Sequence, residues 1–294
     1  MDMVVRVPRV PEAGETIAAS AFLRNPGGKG ANQAVACALQ GAQVAMAGRV
    51  GSDAFGTELR DALCAREVDA SAVHVSAGSS GLALITVDAA AENRIVIVAG
   101  ANADVGEADA DALRDTLADA GLLLMQLELP LPAVRRAAEL ARSMGCPVLL
   151  NPAPARPLPS ELLTLIDILV LNETEAQLLT GMDRVDESNA DQAARCLAAS
   201  GPREVILTLG SRGVIGYGPD GTVVLPAMPV RAIDTTAAGD TFIGALAALR
   251  VEGYSTKEAL ALAVWAAALC VTRAGAQASM PTRAEVETFK RTAG

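Results

Sequence analysis

Short runs rich in β-branched residues alternate with longer runs rich in alanine and leucine along most of this chain of 294 residues. Such alternation is typical of βαβ units, in which helices cover a largely parallel sheet, so the pattern predicts an α/β fold. The predicted strands are 44–50, 122–127, 148–151, 168–171 and 204–209. The predicted helices are 31–39, 54–66, 109–118, 131–144, 173–179, 190–199, 240–251, 256–272 and 283–290.

A hairpin interrupts this alternation, because residues 81–87 and 94–98 read as two strands joined by a short turn. Residues 16–23 add a third extended segment. We therefore expect a small β appendage built from two separated pieces of the chain. The predicted division is a β lid of residues 1–24 and 75–100 and a larger α/β unit of residues 25–74 and 101–294.

Composition excludes several classes of function. The formal net charge of −10 argues against binding to nucleic acid or an acidic membrane, since either partner requires a basic surface. The five cysteines form no CxxC pair, which suits reduced thiols in the cytosol, and no segment reads as a signal peptide or a membrane span. The single histidine, His74, lies in a turn-like stretch, so zinc cages and Ser-His-Asp triads are not expected. The predicted location is the cytoplasm.

One glycine pattern matches the dinucleotide-binding motif. Residues 216–221 fit GxGxxG, but a strand-like run follows them where a dinucleotide site would need a helix. We interpret residues 213–225 as a hairpin, which removes the case for a nicotinamide-dependent dehydrogenase.

The most unusual residue is Asp240, which opens a nearly all-apolar helical run. A buried carboxylate is costly unless it is paired, so Asp240 has either a structural partner or a chemical role. The small residues before it, Ala237, Ala238 and Gly239, leave backbone N–H groups uncovered at the positive end of the helix dipole. The segment could hold an anion beside a base, or Asp240 could simply complement the helix start.

A second unusual stretch, residues 25–33, opens the first helix. Its three glycines allow close approach to the backbone, and Lys29 and Asn32 supply donors for hydroxyls or phosphates. An ordinary glycine-rich helix start remains the alternative.

Together, these and five further motifs resemble the ribokinase-like carbohydrate kinase family in sequence and in order. The resemblance runs from about residue 2 to the last helix. The motifs are residues 27–34 (GGKGANQA), 125–128 (MQLE), 151–155 (NPAPA), 172–176 (NETEA), 208–213 (TLGSRG), 234–241 (DTTAAGDT) and 271–277 (VTRAGAQ).

The resemblance implies a three-layer α/β/α fold with a small β-sheet lid, and ATP-dependent phosphorylation of D-ribose at its 5-hydroxyl. It also implies Mg²⁺ and K⁺ as cofactors and a homodimer joined through the lids. A kinase for another pentose, deoxyribose or a nucleoside stays open, because pocket walls such as Val96 and Val98 do not reveal selectivity. From a different class, a catalytically silent sugar-binding protein also stays open, although Asp240 and Glu175 disfavour it.

By the same resemblance, Asp240 would be the general base, with Ala237, Ala238 and Gly239 as backbone donors to the phosphoryl group. The sugar would contact Asp2, Gly28, Lys29, Asn32, Glu128 and Asp240. ATP would lie against Asn172, Thr208, Gly210 and Gly213, with Glu175 organising Mg²⁺ through water. The monovalent cation would bind Asp234, Thr236, Cys270, Arg273, Gly275 and Ser279, mostly through carbonyl groups.

The sequence differs from the family pattern at the beginning of the chain. The family's sheet starts with a strand that ends in an asparagine two positions before the residue matching Asp2. We therefore expect this first strand of the sheet to be missing and Met1 not to be the natural start.

Overall fold

The computed structural model describes residues 1–90 and 92–293, so Ala91, in the predicted lid hairpin, and Gly294 lie outside the described residues. The strands are β1 (Asp2–Arg6), β2 (Ala21–Asn25), β3 (Val44–Gly51), β4 (Val68–Ser76), β5 (Leu82–Val87), β6 (Asn93–Val98), β7 (Leu123–Met125), β8 (Val148–Leu150), β9 (Ile168–Asn172), β10 (Glu204–Thr208), β11 (Val214–Gly218) and β12 (Gly221–Leu225). The helices are α1 (Lys29–Leu39), α2 (Ala54–Cys64), α3 (Glu107–Asp111), α4 (Arg114–Asp119), α5 (Leu131–Ser143), α6 (Ser160–Leu163), α7 (Glu173–Thr180), α8 (Ala190–Ala199), α9 (Ala238–Val251), α10 (Thr256–Cys270) and α11 (Arg283–Ala293).

The largest sheet is buried on both faces, which confirms the three-layer α/β/α prediction. Its strand order is β12-β11-β10-β9-β8-β7, with β7 to β10 parallel. In β9, Leu169 and Leu171 pack into a core that includes residues of α5, α7 and α8, whereas Ile168 and Val170 pack toward α9 and α10. Because successive side chains of a strand alternate in direction, a strand covered on both faces reads as a continuous apolar run.

Two smaller sheets flank this core. Strands β3 and β4 form a parallel pair that packs against α1 and α2. The lid is a four-stranded sheet in the order β2-β1-β5-β6, and its strands come from both predicted lid segments. The exact boundary between the lid and the larger unit stays a prediction.

The structure corrects two sequence predictions and confirms a third. His74 lies in strand β4 rather than in a turn, and β4 was missed because polar residues such as Asp69 and Ser71 occupy its exposed positions. The single helix expected at 109–118 is two short helices, α3 and α4. Residues 213–225 do form the hairpin β11–β12, which confirms that the GxGxxG pattern belongs to a hairpin turn.

Within the ranges 1–90 and 92–293, no helix is long and apolar enough to cross a bilayer.

Helices α1 and α9 approach each other closely at Gly244. A Cβ atom placed there would lie 2.4 Å from the Cβ atom of Ala36 and 2.9 Å from the backbone nitrogen of Cys37. Since α1 carries the glycine-rich loop and α9 carries Asp240, this contact sets the distance between the two predicted halves of the site.

We expect Gly244→Ala to lower the free energy of unfolding by about 1–3 kcal/mol, because backbone atoms of α1 must move to admit the methyl group. Denaturant unfolding followed by circular dichroism measures the change. Gly48→Ala is the control, since a Cβ atom at Gly48 meets nothing within 4 Å. Equal stability of the two variants would contradict the close approach of the helices.

Candidate active site

Polar side chains gather where the parallel strands of the large sheet end. Glu128 follows β7, Asn151 follows β8, and Asn172 and Thr208 are the last residues of β9 and β10. The carboxyl ends of parallel strands are the usual place for ligand sites in open α/β sheets. A cavity of about 160 Å³ opens there.

The cavity brings together residues from distant parts of the chain. Asp240 lies in its wall with only 8% of its surface exposed. The lining residues are Lys29, Asn151, Ala153, Val170, Leu171, Asn172, Glu175, Thr208, Ala237, Gly239, Asp240 and Ile243. Predicted sugar, nucleotide and phosphoryl positions therefore share one space.

The carboxylate of Asp240 is held by two side-chain amides of α1. Asn32 Nδ2 donates to Asp240 Oδ2 at 3.0 Å, and Gln33 Nε2 donates to Asp240 Oδ1 at 2.9 Å. Among the side-chain contacts described for residues 1–90 and 92–293, no arginine binds this carboxylate. Each oxygen keeps capacity to accept a further hydrogen bond from a ligand.

Burial raises the pKa of the Asp240 carboxyl above its usual range. The positive charge of Lys29 and the amide donors of Gln33 and Asn32 oppose that rise. The ionised form of Asp240 is therefore favoured by these three neighbours and opposed by burial.

The start of α9 offers backbone donors to the cavity. Ala237 precedes the helix with φ of +60°, a left-handed conformation that is rare outside glycine and concentrated at functional sites. Within the described part of the chain, no hydrogen bond occupies the N–H groups of Ala237, Gly239 and Asp240. The N–H of Ala238 differs from the expectation, since it donates to the carbonyl of Thr235 at 3.2 Å.

The predicted sugar residues lie around the glycine-rich loop. The backbone N–H of Lys29 donates to Glu128 Oε2 at 2.8 Å, and Gly28 is the residue that precedes α1. Asp2, at the start of β1, lies against the loop so closely that a Cβ atom on Gly27 would be 2.0 Å from its carboxylate. Burial is the largest influence on Asp2 and Glu128, and it raises the pKa of both carboxyls.

Asn172 and Glu175 form the N-terminal cap of α7. The Asn172 N–H donates to Glu175 Oε2 at 2.9 Å, and the Glu175 N–H donates to Asn172 Oδ1 at 2.9 Å. Asn172 Nδ2 donates to Glu175 Oε1 at 3.1 Å. Both residues also line the cavity, so the cap places an acid there whose pKa is raised by burial.

The other predicted nucleotide residues, Thr208, Gly210 and Gly213, lie from the end of β10 to the start of β11. Thr208 lines the cavity, and its hydroxyl donates to the carbonyl of Leu171 at 3.4 Å. Gly210 and Gly213 flank the short turn that follows β10, outside the residues that line the cavity.

The predicted cation residues lie in the loop before α9 and in the segment that runs from the end of α10 into the next loop. Asp234 connects these two segments by hydrogen bonds. Asp234 Oδ1 accepts the N–H of Thr236 and Asp234 Oδ2 accepts the N–H of Gly275, each at 2.9 Å. Farther along, the Cys270 thiol lies 3.1 Å from the Ser279 hydroxyl. The side chain of Arg273 instead pairs with Glu285 at 2.7 Å, so only its backbone is available to a cation.

Gln33, Gln126 and Asn151 lie in the sequence motifs, but no functional role was predicted for them. Gln33 is fully buried and contacts Asp240, Asn151 and Gln126. The signal available in the sequence was a glutamine in the apolar face of α1, which needs a polar partner when buried.

The chain is similar over its length to known proteins. A family model described as pfkB family carbohydrate kinase matches residues 1–283. Ribokinase of Haemophilus influenzae is 42% identical over 289 residues, covering 98% of this chain and 94% of that protein. Deoxyribokinase of Salmonella typhi is 38% identical over 284 residues, covering 96% and 93%. The structure of Arabidopsis thaliana ribokinase with ribose and ATP superposes with a TM-score of 0.92 at 36% identity, covering 98% and 95%.

Fold, cavity and similarity together define a sugar kinase, an enzyme that transfers a phosphoryl group to an alcohol. The chain belongs to the pfkB family of carbohydrate kinases, and its fold is ribokinase-like.

Proposed function

We propose that this enzyme phosphorylates D-ribose at its 5-hydroxyl with ATP. The observation that carries the proposal is the Asp240 carboxylate, which faces the cavity beside unoccupied backbone N–H groups and within reach of the charge of Lys29. Similarity to ribokinases over nearly the whole chain supports ribose as the alcohol.

The sugar would lie on the glycine-rich loop. Hydroxyl groups require paired donors and acceptors, and the carboxylates of Asp2 and Glu128 accept while Asn32, Lys29 and the backbone of Gly28 donate. A polyol held by several such groups is oriented as well as bound, which brings its reacting oxygen to Asp240.

Asp240 would then accept the proton of the 5-hydroxyl as that oxygen bonds to the γ-phosphorus of ATP and the bond to the ADP oxygen breaks. The N–H groups of Ala237 and Gly239 would stabilise charge on the transferring phosphoryl group. Ala238 has a weaker part, because its N–H already donates to Thr235.

The nucleotide would lie over the ends of β9 and β10, against Asn172, Thr208, Gly210 and Gly213. Glu175 fits Mg²⁺ bound through water, because its buried carboxylate lines the cavity and Oε1 accepts a single side-chain amide. Bound Mg²⁺ would neutralise phosphate charge.

A monovalent cation, K⁺, would order the loop before α9 and the loop after α10. The two loops are already tied by Asp234, and a hydroxyl and backbone carbonyls are the ligands that a hard cation of this kind prefers. The cation would fix the start of α9, and with it the N–H groups of Ala237 and Gly239.

The test is an ADP-release assay with pentoses, deoxyribose, hexoses and nucleosides, each with K⁺ or with choline as the only monovalent cation. We expect D-ribose to give the highest kcat/KM and K⁺ to raise kcat. A preference for deoxyribose or a nucleoside would reassign the substrate, and no turnover with any alcohol would support a silent sugar-binding protein.

We also propose that the enzyme is a homodimer joined through its lids. The strand registers pair Asp2 with Ala83 and Ala83 with Ile97, so these three residues share the face of the lid that covers the sugar site. Val96 and Val98 lie on the opposite face, which favours a place outside the sugar pocket rather than in its walls. This outer lid face carries the exposed apolar residues Phe22, Leu84, Val96 and Val98 beside the exposed Arg24 and Arg94, and a second copy would cover it.

Val96→Glu should therefore convert the dimer into a monomer, because it places a buried charge beside Leu84 and Val98 in the proposed interface. Sedimentation velocity measures the change. Val224→Glu is a matched control, since Val224 is 65% exposed on β12 and Val96 is 62% exposed. A monomeric wild type, or a Val96→Glu variant that remains dimeric, would contradict this interface.

A further inference from the structure

A chain of side-chain amides runs behind the Asp240 carboxylate. Gln126 Nε2 donates to Gln33 Oε1 at 2.5 Å, and Gln33 Nε2 donates to Asp240 Oδ1 at 2.9 Å and to Asn151 Oδ1 at 3.2 Å. Both amide protons of Gln33 and its side-chain oxygen are therefore used in hydrogen bonds to these three neighbours.

The partners of Gln33 define which way its amide points. Asn151 Nδ2 donates to the carbonyl of Val170 at 3.0 Å, so Asn151 Oδ1 is the atom that faces Gln33. If the Gln33 amide were reversed, its oxygen would face both Asn151 Oδ1 and the Asp240 carboxylate, and its nitrogen would face the donor of Gln126. Gln126 thus favours the one orientation that presents an N–H to Asp240.

We propose that Gln33 is a positioning residue that holds the Asp240 carboxylate in its catalytic orientation, and that Gln126 acts through Gln33 by fixing its amide. The inference deepens the proposed function and rests on it for the role of Asp240. Asn32 forms the matching arm on the other oxygen, because Gln277 Nε2 donates to Asn32 Oδ1 at 3.2 Å and Asn32 Nδ2 donates to Asp240.

The charged groups around Asp240 explain why these neutral donors matter. Lys29 of α1 favours the ionised carboxylate, whereas Asp2 of β1, Glu128 after β7 and Glu175 of α7 are acids whose own ionisation opposes that of Asp240. Burial adds to that opposition. Amide donors stabilise the charge without adding another acid or a competing cation to the site.

Gln126 gives the sharpest test, because it is only partly buried and does not touch Asp240. Gln126→Met removes the donor to Gln33. Gln126→Glu replaces the donor with an acceptor of the same shape, which favours reversal of the Gln33 amide and turns its oxygen toward Asp240. Gln33→Met removes the donor to Asp240 directly. Gln40→Met is the matched control, since Gln40 is a buried glutamine at the end of α1 whose side-chain amide donates to the carbonyl of Pro281, away from Asp240.

The first measurement is the pKa of Asp240 by carbon-13 NMR titration, with its signal assigned by its loss in Asp240→Asn. The second is the pH profile of kcat for ADP release. We expect Gln126→Glu to raise the pKa of Asp240 above that in Gln126→Met and to lower kcat at neutral pH by roughly 10- to 100-fold with KM little changed, the size of a lost hydrogen bond to a charged group. Gln33→Met should act in the same direction, and Gln40→Met should match the wild type.

The inference is overturned if Gln126→Glu and Gln126→Met show the same pKa for Asp240 and the same pH profile. It is equally overturned if Gln126→Glu raises that pKa as far in the Gln33→Met background as in the wild type, since the new carboxylate would then act by its charge alone. It is also overturned if Gln40→Met shifts the pKa of Asp240 as far as Gln33→Met does, since the effect would then be general destabilisation. Failure of the proposed function is a separate result, namely a wild type that releases no ADP with any sugar while its NMR titration remains readable.

Discussion

Replacing Asp240 with asparagine should lower kcat by more than a hundredfold while the Kd values of ribose and ATP stay within about threefold, as expected for loss of a general base. Asparagine keeps the size of the side chain but cannot accept the proton. Its amide nitrogen would also face a donor, because Asn32 and Gln33 each direct an N–H at one carboxylate oxygen. Steady-state kinetics and calorimetric titration separate turnover from binding.

Asp167→Asn is the control for this variant. Asp167 lies just before β9, at the end of the parallel strands opposite the cavity, where its carboxylate accepts the N–H of Val148 at 2.9 Å. We expect its kcat to match the wild type. An Asp240→Asn variant that turns over at the wild-type rate would contradict the assignment of the base.

Lys29→Met should lower kcat/KM by roughly a hundredfold or more, since a cation is lost beside four acids and the phosphoryl group. The charge of Lys29 lowers the pKa values of Asp2, Glu128, Glu175 and Asp240, so its removal raises all four. A base acts only when deprotonated, and a raised pKa therefore moves the acidic limb of the activity profile to higher pH.

The pH profile of kcat/KM measures this shift. Lys29→Arg should recover part of the activity and most of the shift, because it restores the charge but not the shape of the ammonium group. Lys257→Met, at an exposed position of α10, should match the wild type. An unshifted acidic limb in Lys29→Met would show that Lys29 does not set the ionisation of the site.

The sequence predicted most elements because local pattern and tertiary burial agree in them. Helix α8 occupies the predicted residues 190–199, and β9 was found because a strand covered on both faces is a continuous apolar run. Strand β4 was missed because its exposed positions carry polar residues. Helices α3 and α4 were merged because their turn, Ala112 and Leu113, is composed of good helix formers.

The positions of the site residues could be expected from the rule that ligand sites form at the carboxyl ends of parallel strands. Their mutual contacts could not. Gln33 and Asp240 are separated by 207 positions in the chain, and nothing local to either residue reveals the hydrogen bond between them. The raised pKa of Asp240 likewise follows from burial, which is a property of the assembled fold.

The most direct test of the central claim is the position of the phosphate in the product. Purified enzyme is incubated with D-ribose, ATP, Mg²⁺ and K⁺, and the product is examined by two-dimensional phosphorus–proton NMR. We predict one phosphate ester, on the 5-oxygen, formed in equal amount to ADP and more than a hundredfold more slowly with Asp240→Asn. ADP release that does not depend on ribose, or a phosphate on another oxygen, would contradict the account.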